Sequence, residues 1–370
     1  MSLKSPAITY KAYSYRSGSS PIKLVDQTIN LVKGPNGDYV APKGKILVKI
    51  NYASLNPVDY KVYKKTPAFL TYYNTKKGFG KDFSGLVLSV GANTKTDVKA
   101  GDLVQGLNWP IYGGGSCAQY LLVDPVWSPI TTVPTDIDLI EAASFPLVLG
   151  TAIQMTHDMK FQGSKVLVLG AGTSVGRYSV QLAKIGGARE IVTTNSSKNS
   201  DLITELGSTS QIDYRKHPNF LNPVLESVKK SGEFDYIIDC WGGTQLFLEI
   251  DSIIRKGGIY YTIVGDSPGV GMDALIGTTK AWFRMARSRL GLLKYHYTIG
   301  LLYSNRANEG WINAARDLLQ GGKLQIFVDS VYPFGELHEA IDKLENGRAQ
   351  GKIVLEVAKP NEQTEINPFK

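Results

Sequence analysis

The residues whose types and spacing are best suited to chemistry are Leu169-Gly170-Ala171-Gly172-Thr173-Ser174-Val175-Gly176. They lie between a wholly apolar run, Lys165 to Leu169, and a helical pattern, Val175 to Ile185. A helix that starts directly after such a turn presents unpaired backbone N–H groups and the positive end of its dipole, which together bind phosphate. Small residues let a pyrophosphate approach, and Gly176 lets the helix pack on the strand. The run departs from G-x-G-x-x-G, because the close-approach position, counted back from Gly176, is Thr173. Its Cβ would crowd a phosphate, or its hydroxyl would donate to one; both readings stand. A turn kept glycine-rich for sterics alone is the alternative, and the strand–turn–helix setting favours a nucleotide.

The next strand ends Val192-Thr193-Thr194-Asn195-Ser196-Ser197-Lys198. A site for NADH places Asp or Glu there to accept from the ribose 2′-hydroxyl. None is present, whereas the hydroxyls and Lys198 suit a 2′-phosphate, so the expected cofactor is NADPH. Serines that merely cap the following helix would explain Ser196 and Ser197 but not the missing acid.

Other chemistries are narrowed by composition. Cys117 and Cys240 are the two cysteines, and His157, His217, His296 and His338 are scattered, so neither a disulfide framework nor a closely spaced metal motif is expected. The net charge of +8 permits attraction to anions without choosing among a cofactor, nucleic acid and a lipid surface. No run is apolar enough to span a bilayer. Residues Met1 to Ser20 carry Lys4, Lys11 and Arg16 and no acid, yet Ile8 to Tyr15 alternates as a strand, so a first strand is expected rather than a targeting peptide.

The 370 residues exceed one ordinary core and suit two domains. The first third alternates in short β-prone runs (Lys45 to Tyr52, Phe83 to Val90) punctuated by glycine, which indicates an irregular β-barrel. From about Glu141 the pattern changes. A helix is expected over Ala142 to Met159, then alternating strands and helices: Lys165–Leu169, Val175–Ile185, Glu190–Thr194, Ser200–Leu206, Gln211–Tyr214, Asn222–Lys230, Phe234–Asp239, Thr244–Ile254 and Gly258–Val264. Wholly apolar strands alternating with helices predict a doubly wound parallel sheet covered on both faces. A helix at Glu309–Gln320 and strands at Gln325–Val331 and Lys352–Val357 are expected to return to the first domain, and the tail from Lys359 is expected to be disordered. The expected domains are 1–135 with 318–370, and 136–317.

At these residues the chain resembles the medium-chain dehydrogenase/reductase superfamily, in its quinone-oxidoreductase and enone-reductase branch, fungal members included. The landmarks are Asn56-Pro57-Val58-Asp59-Tyr60-Lys61, Gly80-Lys81-Asp82-Phe83-Ser84-Gly85, Lys99 to Val104, Gly113 to Tyr120, Ala142 to Pro146, and Ala349-Gln350-Gly351-Lys352-Ile353, in that order. The resemblance implies an α/β fold: a GroES-like β-barrel domain beside a Rossmann domain. Zinc alcohol dehydrogenases carry Cys where this chain has Asn56, His where it has Lys81, and a third ligand near Leu147; Asn, Lys and Leu form no tetrahedral site. The implied activity is zinc-independent hydride transfer from NADPH to a quinone or an α,β-unsaturated carbonyl, in the cytoplasm, by a monomer or homodimer.

Further residue roles follow from the resemblance. Asn56 and Lys61 would lie by the nicotinamide and ribose, and Lys61 could donate to a developing enolate oxygen; a surface cation is the alternative. Thr151, Gly172, Thr173, Ser174, Val175, Gly176 and Val264 would line the cofactor. Ser196, Lys198, Tyr214 and Arg348 would face the adenosine phosphate; for Tyr214 a plain sheet-end residue is the alternative. Tyr63, Trp109 and Tyr112 are candidate pocket walls, with plain packing as the alternative. Solvent could supply the final proton, so no catalytic acid is demanded.

Between Ala274 and Asn308 there is no acidic residue, while Lys280, Arg284, Arg287, Arg289, Lys294 and Arg306 interleave with Trp282, Phe283, Met285, Leu290, Leu292, Leu293 and Tyr295. Such a stretch either buries its apolar side and solvates its cations, or lies on an anionic membrane or lipid-droplet surface. Nucleic acid is not expected, because the aromatics and arginines are not spaced as a stacking platform. A nucleotide-binding, membrane-associated protein with little or no turnover is therefore the alternative to a reductase.

Overall fold

A computed structural model describes residues 6–65, 77–109, 113–267, 272–300 and 310–359. The chain forms two compact units, 1–147 with 303–370, and 148–302.

The first unit opens with β1 (Ala7–Tyr15), whose alternating burial matches its sequence pattern. β2 (Lys23–Asn30), β3 (Val32–Lys33) and β4 (Tyr39–Val40) lead to β5 (Ile46–Leu55), buried along its whole length. Helix α1 (Pro57–Lys65) starts on proline, whose missing N–H would be unpaired there in any case. Strands β6 (Lys77–Gly78), β7 (Asp82–Val90), β8 (Leu103–Leu107), β9 (Tyr120–Val123) and β10 (Ile130–Thr132) precede helix α2 (Leu139–Ser144). Asp138 caps α2 by accepting from the Glu141 amide at 2.7 Å.

The second unit begins within α3 (Pro146–Thr156). It alternates β11 (Lys165–Leu169), α4 (Ser174–Ile185), β12 (Glu190–Asn195), α5 (Ser200–Leu206), β13 (Ser210–Asp213), α6 (Leu221–Ser231), β14 (Phe234–Asp239), α7 (Ile250–Ile253), β15 (Ile254–Thr262), α8 (Met272–Arg289) and β16 (His296–Ile299). The chain then re-enters the first unit as α9 (Trp311–Leu319), β17 (Val328–Pro333), α10 (Leu337–Glu345) and β18 (Lys352–Glu356).

In the first unit the main sheet runs β10-β8-β7-β5-β18-β17, with β9 also paired to β5. β18 reaches β5 antiparallel, placing Ile353 opposite Leu55 and so bringing Lys352 to the end of the strand that leads into Asn56. In the second unit six strands run parallel in the order β13-β12-β11-β14-β15-β16. β11 is buried along its length, and its apolar residues Val166 to Leu169 are those of a strand covered on both faces. The strand order reverses between β11 and β14, and ligands of open parallel sheets bind outside the carboxyl ends at that switch point.

Three expectations change. The helix expected over Ala142 to Met159 is two, because Pro146 lacks an N–H and its ring would clash with a preceding carbonyl. The helix expected over Thr244 to Ile254 reduces to a 3₁₀ turn at Gln245–Leu248 and the single turn of α7, and β15 begins at Ile254. The unit boundaries lie at 147/148 and 302/303, not 135/136 and 317/318: α2 packs on β5, β7 and β8, and α9 on β10. The tail expected to be disordered lies, beyond Lys359, outside the described residues.

Candidate functional site

The glycine-rich turn occupies the carboxyl end of β11, at the switch point. Gly170 has φ +73°, a region that favours glycine, and a Cβ there would stand 3.1 Å from the Trp241 Cβ. The Gly170 amide donates to Thr194 Oγ1 at 2.9 Å and the Ala171 amide to the Thr194 carbonyl at 3.0 Å, which tie the turn to β12. A Cβ on Gly176 would fall 2.3 Å from the Gly170 carbonyl oxygen, so α4 sits against the turn more closely than any other residue allows.

Thr173 is the N-cap of α4. Its hydroxyl donates to the Gly170 carbonyl at 2.9 Å and accepts from the Gly176 amide at 3.1 Å. In this arrangement its proton goes to the Gly170 carbonyl, and its place is that of the helix cap. The amides of Ser174 and Val175, at the head of α4, have no acceptor inside the helix. A Cβ on Gly172 would stand 2.8 Å from Asn199 Nδ2, so that side chain lies close against the turn.

At the end of β12 the Asn195 amide is buried and bonded to Gln211 Oε1 and the Ser196 carbonyl. Ser196 is buried and Lys198 exposed. The nearby acid, Asp213 at the end of β13, accepts from the Ser197 amide at 3.2 Å and the Arg215 amide at 2.9 Å. Those backbone bonds hold its carboxyl below the usual range. The half-exposed ring of Tyr214 stacks on Trp241, centroids 6.0 Å apart and planes 18° apart. Sequence reading missed Trp241; its signal is its place just after β14, on the other side of the switch point. Asp239, which ends β14, is fully buried, accepts from the Trp241 and Gly242 amides and from Tyr260 Oη, and is pushed up by burial. Thr151 is buried and Val264 half-buried. The structure thus gathers Gly172 to Gly176 at the turn and places Lys198 and Tyr214 after the neighbouring strand ends. Arg348, exposed just after α10, belongs to the other unit.

In the first unit Asn56 is fully buried and fully partnered. Its backbone amide donates to Asp59 Oδ2 at 2.7 Å and its Nδ2 to Asp82 Oδ2 at 2.8 Å, while its Oδ1 accepts from Lys352 Nζ at 2.5 Å. Lys352 also donates to the Leu55 carbonyl at 2.9 Å and pairs with Asp82 at 3.2 Å. Asp82 accepts as well from Ser54 Oγ and from the Leu147 amide. Lys81 donates to the Trp109 carbonyl at 3.1 Å and lies over its ring, and burial lowers its affinity for a proton. Burial pushes the Asp59 carboxyl up to about 7, and its Oδ1 has no hydrogen-bond partner. Expected to face the nicotinamide, Asn56 instead spends its side chain inside this cluster. Lys61 is half-buried on α1. Tyr63 donates to the Ser20 carbonyl and meets Tyr15 edge-on, which is packing; Tyr112 lies outside the described residues.

Comparison with known proteins matches this geometry to a family. A family model described as an alcohol dehydrogenase GroES-like domain matches residues 42–135, and one described as a zinc-binding dehydrogenase matches residues 206–355. The chain belongs to the medium-chain dehydrogenase/reductase superfamily. Protein YIM1 of Saccharomyces cerevisiae is 27% identical over 372 residues, covering 95% of this chain and 98% of that one. A quinone oxidoreductase from Coxiella burnetii superposes with a TM-score of 0.73 at 25% identity, covering 95% of this chain and all of that one. A mycobacterial quinone oxidoreductase shares the fold, with a TM-score of 0.70 at 19% identity, covering 94% of this chain and 100% of that one. As a medium-chain dehydrogenase/reductase the chain is an oxidoreductase with a GroES-like domain and a parallel-sheet Rossmann domain, and that fold implies a nicotinamide nucleotide.

Proposed function

We propose that this protein is a zinc-independent, NADPH-dependent reductase of quinones or α,β-unsaturated carbonyls. The observation that carries the reading is the pairing of an open, capped phosphate turn with a β12 end that lacks an acid. Ser174 and Val175 at the head of α4 offer amides to the pyrophosphate. Thr173 holds the turn in shape. Ser196, Lys198 and Tyr214 hold the 2′-phosphate, with Trp241 supporting the Tyr214 ring. Asp213, the carboxylate that could have received a free 2′-hydroxyl, is bound to backbone amides instead.

When bound, the nicotinamide supplies a hydride to a quinone ring or to the β-carbon of an enone. Lys61 is the candidate donor to the oxyanion that develops, and solvent provides the remaining proton. Asn56 is a positioning residue: it fixes the strand-to-helix junction from which α1 projects. The residues at the family's zinc position do not fit a metal. The Asn56 oxygen faces the Lys352 ammonium, and Lys81 is a second buried cation beside Asp59 and Asp82.

The test is turnover of purified protein with NADPH and a panel of quinones and enones, followed by loss of the reduced-nicotinamide absorbance. Turnover with NADPH exceeding that with NADH, and unchanged by chelators, is expected. Chelator-sensitive oxidation of alcohols with no reduction of the panel would overturn the assignment.

A further inference from the structure

Helix α8 presents an outer face that folding does not require. It is held from within by Gly277, Ala281 and Met285, which are buried, and it packs on β16. A Cβ on Gly277 would meet Ser267 at 2.8 Å, so the helix lies tightly against the preceding segment. Arg284 completes the anchor: its guanidinium makes two bonds to Asp266, at 2.6 and 3.1 Å, and lies 3.5 Å from the centre of the Phe247 ring. The bland expectation for this stretch, apolar residues inside and cations in water, is therefore half reversed.

The outer face is apolar. Ile276, Phe283 and Leu290 recur every seven residues, with Thr279 and Ala286 between them, so they form one line along the helix. Their exposures are 45%, 68% and 74%, and Trp282 beside the line and Leu292 beyond its end are 51% and 61% exposed. Lys280 and Arg287 flank one side of the line and Arg289 the other, all exposed and without an ion pair among the described residues. A second copy of this helix would set these cations against one another, because 274–308 contains no acid. An apolar line with cations on both flanks and a tryptophan at its edge instead matches the layers of a lipid interface, where acyl chains, headgroup level and anionic charge follow one another.

We propose that the outer face of α8 docks the protein onto a phospholipid bilayer bearing anionic headgroups. The helix lies in the interface plane, with Phe283, Leu290 and Leu292 among the acyl chains and Lys280, Arg287 and Arg289 at the phosphates. Among the described residues no helix is long and apolar enough to cross a membrane, so the association is peripheral. It is independent of hydride transfer.

The test is flotation of the full chain with vesicles of phosphatidylcholine alone and of phosphatidylcholine mixed with phosphatidylserine. Binding to the mixed vesicles is expected, weakened by salt and at least about tenfold weaker without phosphatidylserine. Each cation near an anionic surface is worth about fivefold, so K280E/R287E/R289E should weaken binding on the order of a hundredfold or more. F283S/L290S should weaken it by about tenfold or more. Brominated lipid should quench tryptophan emission of the wild type and not of W282F, a readout that stands even where a multiple variant misfolds. No binding to mixed vesicles, equal binding to both kinds, or quenching that survives in W282F would overturn the proposal. So would a dimer that F283S/L290S converts to monomer, which would show that a second copy covers the face.

Discussion

Replacing Lys352 by methionine is the sharpest test of the cluster that occupies the family's zinc position. The substitution keeps the aliphatic stem and removes the ammonium. Asp82, with no exposed surface, then retains bonds from Ser54, Asn56 and the Leu147 amide but loses its charge partner at 3.2 Å. Breaking a buried pair by removing one member costs about 3–5 kcal/mol. The orphaned Leu55 carbonyl and Asn56 Oδ1 place this case toward the upper end, so about 5 kcal/mol is expected. That is a large part of the roughly 5–15 kcal/mol available to a folded domain. D82N/K352M removes both charges, and the Asn56 amide can turn to pair with the new amide. It should recover at least about 2 kcal/mol relative to the sum of the single losses. Urea unfolding of the four proteins gives the cycle. A K352M loss under about 1 kcal/mol, or strict additivity, would refute the argument that this pair organises the site.

Asp59, raised to about 7 in the folded state from an ordinary value of 3.8, holds a proton that the unfolded chain gives up. Stability should therefore decline from about pH 4 to about pH 7, with a slope approaching 1.4 kcal/mol per pH unit, and level off above. Urea midpoints across that window should be flatter for D59N, and an unchanged slope would remove Asp59 as the cause. T173A deletes the cap of α4 and should cost about 1 kcal/mol by urea unfolding while leaving NADPH affinity within about threefold, since the hydroxyl's place is that of the helix cap. G176V drives side-chain atoms into the Gly170 carbonyl and should abolish NADPH binding measured by fluorescence titration. K198E should weaken NADPH by about tenfold or more in the same titration and leave NADH within about threefold; equal effects on both would remove the preference for NADPH.

The second unit was the more legible part of the chain. Strands β11 and β14 follow their expected limits, Lys165–Leu169 and Phe234–Asp239, because each carries a short β-prone core, Val166 to Leu169 and Tyr236 to Ile238, that is buried. Local signals failed where one residue or a distant partner decides. Pro146 divides what periodicity joins into one helix. Helix α10 and strand β16 went unread, and β16 is completed only by pairing with β15. The Asp82–Lys352 contact joins residues 270 positions apart, so no window reveals it. The turn at Gly170 to Gly176 was recognised from its spacing, whereas the role of the Thr173 hydroxyl needed coordinates, since capping and phosphate donation use the same atom. Trp241 was missed because its stacking on Tyr214 follows from the strand order, not from its neighbours in sequence.

Calorimetric titration of NADPH into the wild-type protein and into G176V tests the central claim most directly. One site per chain, with heat in the wild type and none in the folded variant, is the predicted result. A wild type that binds neither NADPH nor NADH, or a G176V protein that binds as well as the wild type, would contradict it.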